Sequence, residues 1–298
     1  MFAFVKTVAR LLRVREYPKN FFILLPIFFG ARFSDAWSVL QAATATVLFC
    51  LLASAVYVMN DVVDRDRDRL HPRKKNRPIA SGAVSEVHAV WVATGLAAVA
   101  LFLAFFWRPA VGGWMAVYLL VNILYTFGVK RLGLVDVFVI ALGFVIRLFV
   151  GAAATGLGLS PWIILMTFLL ALFLGFAKRR DDLHLAQDTG VSLRLSTMGY
   201  NQAFADGILI LISGVTIVCY IMYTMDPAVL VKYHHRPLYP SAGFFIFGVL
   251  RYLQIAMVRN EGGSPTDQLW RDRWIQLALL AFVVYFALIL YAPDWFPN

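Results

Sequence analysis

Charge is scarce in this chain: charged residues make up 15% of its 298 positions, against 61% hydrophobic. Cysteine is almost missing, with only Cys50 and Cys219, each inside an apolar run with no second Cys or His at ligand spacing. That excludes a disulfide framework and a thiolate metal site, and leaves both as small core residues. Nowhere does the sequence carry the ten-residue alternation of polar and apolar residues that a membrane β-barrel needs; its apolar runs are hydrophobic on all sides and near the length that crosses a bilayer. The N-terminal stretch, with Lys6, Arg10, Arg13, Arg15 and Lys19, lacks a small-residue cleavage site, which excludes a removable signal peptide and leaves a basic helix lying on an anionic leaflet.

What is present is a series of apolar runs. Nine spans are expected, at about 18–33, 38–59, 87–107, 112–129, 134–154, 161–177, 201–225, 239–258 and 273–292. With a cytoplasmic N-terminus, 21 of the 27 Lys and Arg residues fall in inside segments and four in outside ones. The expected fold is therefore an all-α integral membrane protein, a single domain over 1–298, N-terminus inside, C-terminus outside. Its net charge of +10 follows from topology and calls for no nucleic acid.

The remaining charge is concentrated in two inside loops, 61–86 and 178–200. In the first, "NDVVDRDRDRLHPRKKNRPIASG" (60–82) packs four aspartates and seven basic residues. If the second span continues as a helix, Asn60, Asp64 and Asp68 fall at i, i+4 and i+8 with Asp61 beside them, while Asp66 points elsewhere. Converging carboxylates repel unless a cation intervenes, and an all-oxygen donor set suits Mg²⁺ bridging to phosphate oxygens. Arg73, Lys74, Lys75 and Arg77 then suit the phosphate oxygens a metal leaves uncovered, so the implied ligand is a Mg²⁺-diphosphate. A solvated juxtamembrane loop accounts for the bases but not for an acidic comb at a span end.

NDxxDxxxD followed by HPxK, RP and SG (Asn60, Asp61, Asp64, Asp68, His71, Pro72, Lys74, Arg77, Pro78, Ser81, Gly82) resembles the first signature of the UbiA superfamily of intramembrane prenyltransferases. The resemblance implies nine transmembrane helices round a central cavity, with Mg²⁺-diphosphate under a cytoplasmic cap in a bacterial inner membrane. Ordinary members carry a second motif, DxxxD, after the sixth span; here "FAKRRDDLHLAQDTG" has Lys178 and Arg179 in the leading position, with Asp182 closing a KRxxE-like run one methylene short. Exchanging carboxylates for cations favours a directly held phosphate over a second metal. That run, Tyr200, "RYL" (Arg251 to Leu253) and "EGGSPTDQLWRDR" (Glu261 to Arg273) are similar to the branch that transfers phosphoribosyl groups to decaprenyl phosphate.

The resemblance implies phosphoribosyl diphosphate (PRPP) and a polyprenyl phosphate as substrates. Asp61, Asp64 and Asp68, with Asn60, are expected to hold Mg²⁺, and Arg77 and Lys178 to neutralise developing charge. Lys19, Asn20, Lys74, Tyr125, Lys130, Arg147, Arg179 and Asp182 complete the expected substrate-binding set. Among these, Arg147 lies in mid-span and must face the bundle interior, equally as a structural partner or a phosphate ligand, and Lys130 is equally a topology marker. His234 and His235 are assigned to a solvated loop. The competing readings are prenyl transfer to an aromatic acceptor, which shares the first cluster but not Lys178-Arg179, and an anion transporter, which would place more charge at the midplane than Arg147 alone. A homo-oligomer is left open by the sequence.

Overall fold

The computed structural model describes residues 2–70, 74–189, 200–258 and 271–291. Every regular element among them is helical: α1 (Phe2–Leu11), a 3-10 stretch (Val14–Leu24), α2 (Leu25–Phe29), α3 (Ala36–Val63), α4 (Arg65–Leu70), α5 (Glu86–Trp107), α6 (Pro109–Phe127), α7 (Val135–Thr155), α8 (Pro161–Thr189), α9 (Gln202–Met225), α10 (Pro227–Lys232), α11 (Ser241–Met257) and α12 (Arg273–Tyr291), with short 3-10 turns at Lys74–Asn76 and Val129–Arg131.

The helix starts are written in the sequence. Asp35 caps α3, accepting from the Trp37 amide at 3.1 Å and the Ser38 hydroxyl at 2.6 Å. Ser85, Asn201 and Asp226 cap α5, α9 and α10 in the same way. Pro109, Pro161 and Pro227 stand at first helical positions, where a missing N–H costs nothing.

Among the described residues, seven helices are long and apolar enough to cross a membrane: α3, α5, α6, α7, α8 through His184, α9, and α12 through Leu290. Two expected spans differ. The stretch expected at about 18–33 is not one helix, because Pro18 and Pro26 interrupt the backbone ladder; a 3-10 stretch and the five-residue α2 result. The stretch expected at about 239–258 forms the shorter apolar helix α11, 17 residues long. The expected loop 178–200 is helical as far as Thr189, because α8 continues past its apolar part, and the expected loop 61–86 opens with the end of α3 and with α4.

The chain forms two compact units, residues 1–132 with 142–159, and residues 133–141 with 160–298. In the first, α3 is the central helix: Ala45, Leu48, Phe49, Leu52, Ala53 and Val56 pack with Ala100 and Ala104 of α5, Val111 and Met115 of α6, and Ile146 and Val150 of α7. The alanines let the helices approach closely, which is what drives association where lipid tails compete for apolar contact. Gly151 on α7 takes this furthest, since a Cβ there would lie 2.1 Å from the Ile23 carbonyl oxygen of the 3-10 stretch. In the second unit, α8 packs on α9, and α11 on both α9 and α12.

Candidate active site

The acidic comb sits at the end of α3. Helical bonding carries on past Val63, with Asp64 N donating to Asn60 O at 2.9 Å and Asp68 N to Asp64 O at 2.8 Å, although Asp64 itself is the cap between α3 and α4. The one-turn spacing expected from sequence is thus kept. Asp61 and Asp68 are buried, at 3% exposure each, while Asp66 pairs with Arg65 and Arg69 at the surface.

Each comb aspartate is turned on a cation. Arg77 Nη1 donates to Asp61 Oδ1 at 2.9 Å and to Asp68 Oδ2 at 2.5 Å, so one guanidinium bridges two buried carboxylates. Lys74 Nζ is 4.0 Å from Asp68 Oδ1, and Lys130 Nζ donates to Asp64 Oδ1 at 2.7 Å. Asn60 Oδ1 accepts from the Thr126 hydroxyl on α6. Tyr125 is half-buried, one position before Thr126.

A fourth cation comes from the N-terminal segment expected to lie on the membrane surface. Arg13 donates to both oxygens of Asp61, from Nε at 3.2 Å and also from Nη2, and its guanidinium lies 5.2 Å from the Tyr57 ring centre. It gets there because α1 stops at Leu11 and Arg13 takes a left-handed backbone conformation, φ 52°. Buried Ser54 of α3 fixes the break by donating to Leu12 O at 2.9 Å, and the Tyr17 hydroxyl shares a hydrogen bond with Ser54. Burial alone would lower the Arg13 pKa; the charge and hydrogen bonds of Asp61 outweigh it and raise it. Among the described residues, three carboxylates against four cations leave this cluster near +1, which favours an anionic ligand.

Among the described residues no three His, Cys, Asp or Glu side chains gather as a metal site; the aspartates are paired with cations instead. The donor chemistry nevertheless fits Mg²⁺. Asn60, Asp61, Asp64 and Asp68 supply hard oxygens from successive turns, and the bases around them match the phosphates that accompany this ion.

Deeper in the same unit, Arg147 is buried, as its mid-span position requires, and its partners are neutral. Nε donates to Asn20 Oδ1 at 3.0 Å and Nη1 to Gly143 O at 2.8 Å, and the rings of Phe49, Tyr118 and Phe144 lie 4.9 to 5.3 Å away. Ring faces and carbonyl dipoles take the place of an acid. Buried Asn20 also donates to Cys50 Sγ at 3.1 Å, so Arg147 and Asn20 tie the 3-10 stretch to α7 and α3. Lys19, next to Asn20, pairs with Glu16 and is half exposed.

In the second unit, the cations of α8 divide. Lys178 is exposed. Arg179 is 2% exposed and donates from Nε to Asp136 Oδ2 at 3.0 Å, with Nη2 on the same oxygen, while Asp182 Oδ2 lies 3.8 Å from its Nη1. Arg180 donates to Asp206 of α9 at 2.5 Å. Asp136, absent from the expected site residues, is fully buried, and its Oδ1 has no hydrogen-bond partner among the described residues. Its only sequence signal was an acid in the first turn of a span whose one other charged residue is Arg147. Tyr200 OH accepts from the Leu134 amide, and burial raises its pKa. His71, Pro72, Arg73 and the motif from Glu261 to Trp270 lie outside the described residues.

The family model for the UbiA prenyltransferase family matches residues 21–280. The chain belongs to the UbiA family. It is a member of a family of membrane transferases, and two relatives match over nearly the whole chain. It is 32% identical over 289 residues to a decaprenyl-phosphate phosphoribosyltransferase of Mycobacterium tuberculosis, covering 94% of this chain and 92% of that one. It is 28% identical over 293 residues to the protein of the same name in Corynebacterium glutamicum, covering 96% and 87%. A UbiA homolog from Archaeoglobus fulgidus, solved bound to DMAPP and Mg²⁺, matches with a TM-score of 0.70 at 20% identity over 95% of this chain and 98% of that chain, which establishes the UbiA fold.

Proposed function

We infer that this UbiA member transfers the 5-phosphoribosyl group of PRPP to a polyprenyl phosphate of the decaprenyl type, releasing pyrophosphate at the cytoplasmic face of a bacterial plasma membrane. The observation that carries this is the end-to-end likeness to relatives named decaprenyl-phosphate phosphoribosyltransferase. The cation-rich start of the α8 cluster, Lys178-Arg179-Arg180, agrees with it.

In the reaction the bond from ribose C1 to the diphosphate oxygen breaks, and a bond from C1 to an oxygen of the lipid phosphate forms. A phosphate monoester is already largely ionised near neutral pH, so the attacking group needs no strong base. Asn60, Asp61, Asp64 and Asp68 would hold Mg²⁺, which when bound supplies charge neutralisation on the leaving diphosphate. Arg77, Lys74 and Lys130, released from the carboxylates they now neutralise, turn to phosphate oxygens. Arg77 stabilises the charge that develops as the C1–O bond opens. Lys178 contacts phosphate from α8, and Arg179, committed to Asp136, acts as a positioning residue for that turn. Lys19, Asn20, Tyr125 and Arg147 hold the walls around the first cluster.

The test follows ribose-labelled PRPP into organic-extractable lipid, using the purified protein, Mg²⁺ and a polyprenyl phosphate. Labelled lipid that disappears in Asp61→Asn supports the reading; label that stays in the aqueous phase with folded protein refutes it.

A further inference from the structure

On the second unit, between α11 and α12, lies a cavity of about 530 Å³ lined by Phe247, Leu250, Arg251, Gln254 and Trp274. It belongs to neither cluster described above. Phe247, Leu250, Arg251 and Gln254 recur at i, i+3, i+4 and i+7 on one face of α11, and Trp274 opens α12 opposite them, with its ring edge-on to Phe247 at 6.5 Å. Phe247, Leu250 and Trp274 are exposed, and Leu277 and Leu280 extend the apolar strip along α12. The polar end is built differently. Arg251 Nη2 donates to Asp272 Oδ2 at 2.7 Å and Nη1 to Gln254 Oε1 at 2.7 Å, at 13% exposure for the arginine side chain. The Arg251 hydrogen bonds, with the Trp274 and Ile275 amides, hold the Asp272 carboxyl below the usual range. Arg271 and Arg273 flank Asp272 in the chain and are exposed.

We propose that this groove binds a lipid phosphate monoester, with its headgroup at the Arg251–Asp272 end and its first isoprenoid-like units between Phe247, Leu250 and Trp274. The groove is apolar along its length and basic at one end, at the terminus of a membrane span where tryptophan and arginine meet headgroups. Among the described residues, three arginines against one aspartate leave about +2, which matches the −1.5 to −2 of a monoester near neutral pH better than the single charge of a phosphodiester lipid. The cavity is within the size range of ligand sites, about 300–1,000 Å³. The occupant is of the class that the proposed reaction uses as acceptor, so the groove would hold the acceptor outside the catalytic clusters; lipid binding itself does not require that the reaction be correct.

The experiment uses the full chain in detergent and three photoreactive probes with a diazirine in the tail: farnesyl phosphate, farnesol and phosphatidylglycerol. Peptide mapping after illumination is expected to place the farnesyl phosphate label on 247–254 and 274–280. Labelling by farnesol and phosphatidylglycerol is expected to be about 10-fold weaker, as is labelling of Trp274→Ala and of the surface double variant Arg271→Gln/Arg273→Gln. The double variant leaves the part-buried Arg251–Asp272 pair intact, so its result does not depend on what that pair contributes to folding. Equal labelling by farnesol, or farnesyl phosphate label confined to other helices, overturns the proposal. Asp64→Ala, expected to be inactive, should keep the groove label; loss of the label in that variant also overturns the proposal, whereas retained label with no phosphoribosyl transfer by the unaltered chain refutes only the reading of function.

Discussion

Adding one methyl group at Gly151 should uncouple the N-terminal segment from the bundle. The new Cβ would lie 2.1 Å from Ile23 O, 3.0 Å from Ile23 C and 3.2 Å from Pro26 Cγ, and the first two are backbone atoms that cannot rotate aside. Restoring ordinary contact requires α7 and the 3-10 stretch to part by about 1 Å in a close-packed interior. Overpacking of this kind costs about 1–3 kcal/mol. The same displacement stretches the 3.0 Å bond from Arg147 Nε to Asn20 Oδ1, four residues along α7, and leaves a buried guanidinium short of an acceptor. Gly151→Ala should therefore lower the thermal midpoint in detergent by several degrees and reduce turnover, because Lys19 and Arg13 ride on the displaced segment. Gly113→Ala, where a Cβ meets nothing within 4 Å, is the control and should be neutral in both measurements. A Gly151→Ala protein with an unchanged midpoint and unchanged turnover would refute the packing argument.

Arg77→Gln should lower turnover about 10²–10³-fold, since it removes the cation assigned to the developing charge, whereas Arg69→Gln, half exposed and bonded to Ala80 O, should stay within about threefold; steady-state pyrophosphate release compares them. Asp136→Asn leaves Arg179 buried without its close carboxylate and should destabilise the protein by about 3–5 kcal/mol, read as loss of folded protein in detergent. Lys178→Gln should raise the KM for PRPP, read from steady-state pyrophosphate release at varied PRPP. The Asp272 carboxyl is held below its ordinary pKa, so its contribution is complete above the ordinary aspartate range, about 3.9, and is lost only as pH falls through the depressed value. Stability differences between the parent chain and Asp272→Asn should accordingly be constant from pH 7 to pH 5, a result that melts at each pH would check.

The runs long enough to span were legible because a bilayer demands uninterrupted apolar length, and α3, α5, α6, α7, α8, α9 and α12 satisfy it. The first expected span is not one continuous helix, because average hydrophobicity hides what Pro18 and Pro26 do to a helix. The acidic comb was legible for a local reason: Asn60, Asp64 and Asp68 keep helical register whether or not anything else folds. Its partners were not. Lys130 and Thr126 come from 66 residues away and Arg13 from 48, and the left-handed turn that aims Arg13 depends on Ser54 of another helix. Lys130 looked equally like a phosphate ligand and a topology marker, and pairs here with Asp64. Arg179 read as a phosphate ligand because a basic pair at a span end is conspicuous, whereas Asp136, a lone acid in an apolar stretch 43 residues earlier, gave no hint that the two would meet.

The central claim is that the donor is PRPP and the acceptor a lipid phosphate. The most direct measurement is pyrophosphate release by the purified protein with Mg²⁺, from PRPP with and without polyprenyl phosphate, beside release from a prenyl diphosphate with an aromatic acceptor, each repeated with Asp64→Ala. Release from PRPP that depends on the lipid and vanishes in the variant is the predicted result. Release only from the prenyl diphosphate would contradict the substrate assignment and leave a UbiA enzyme of the ordinary kind.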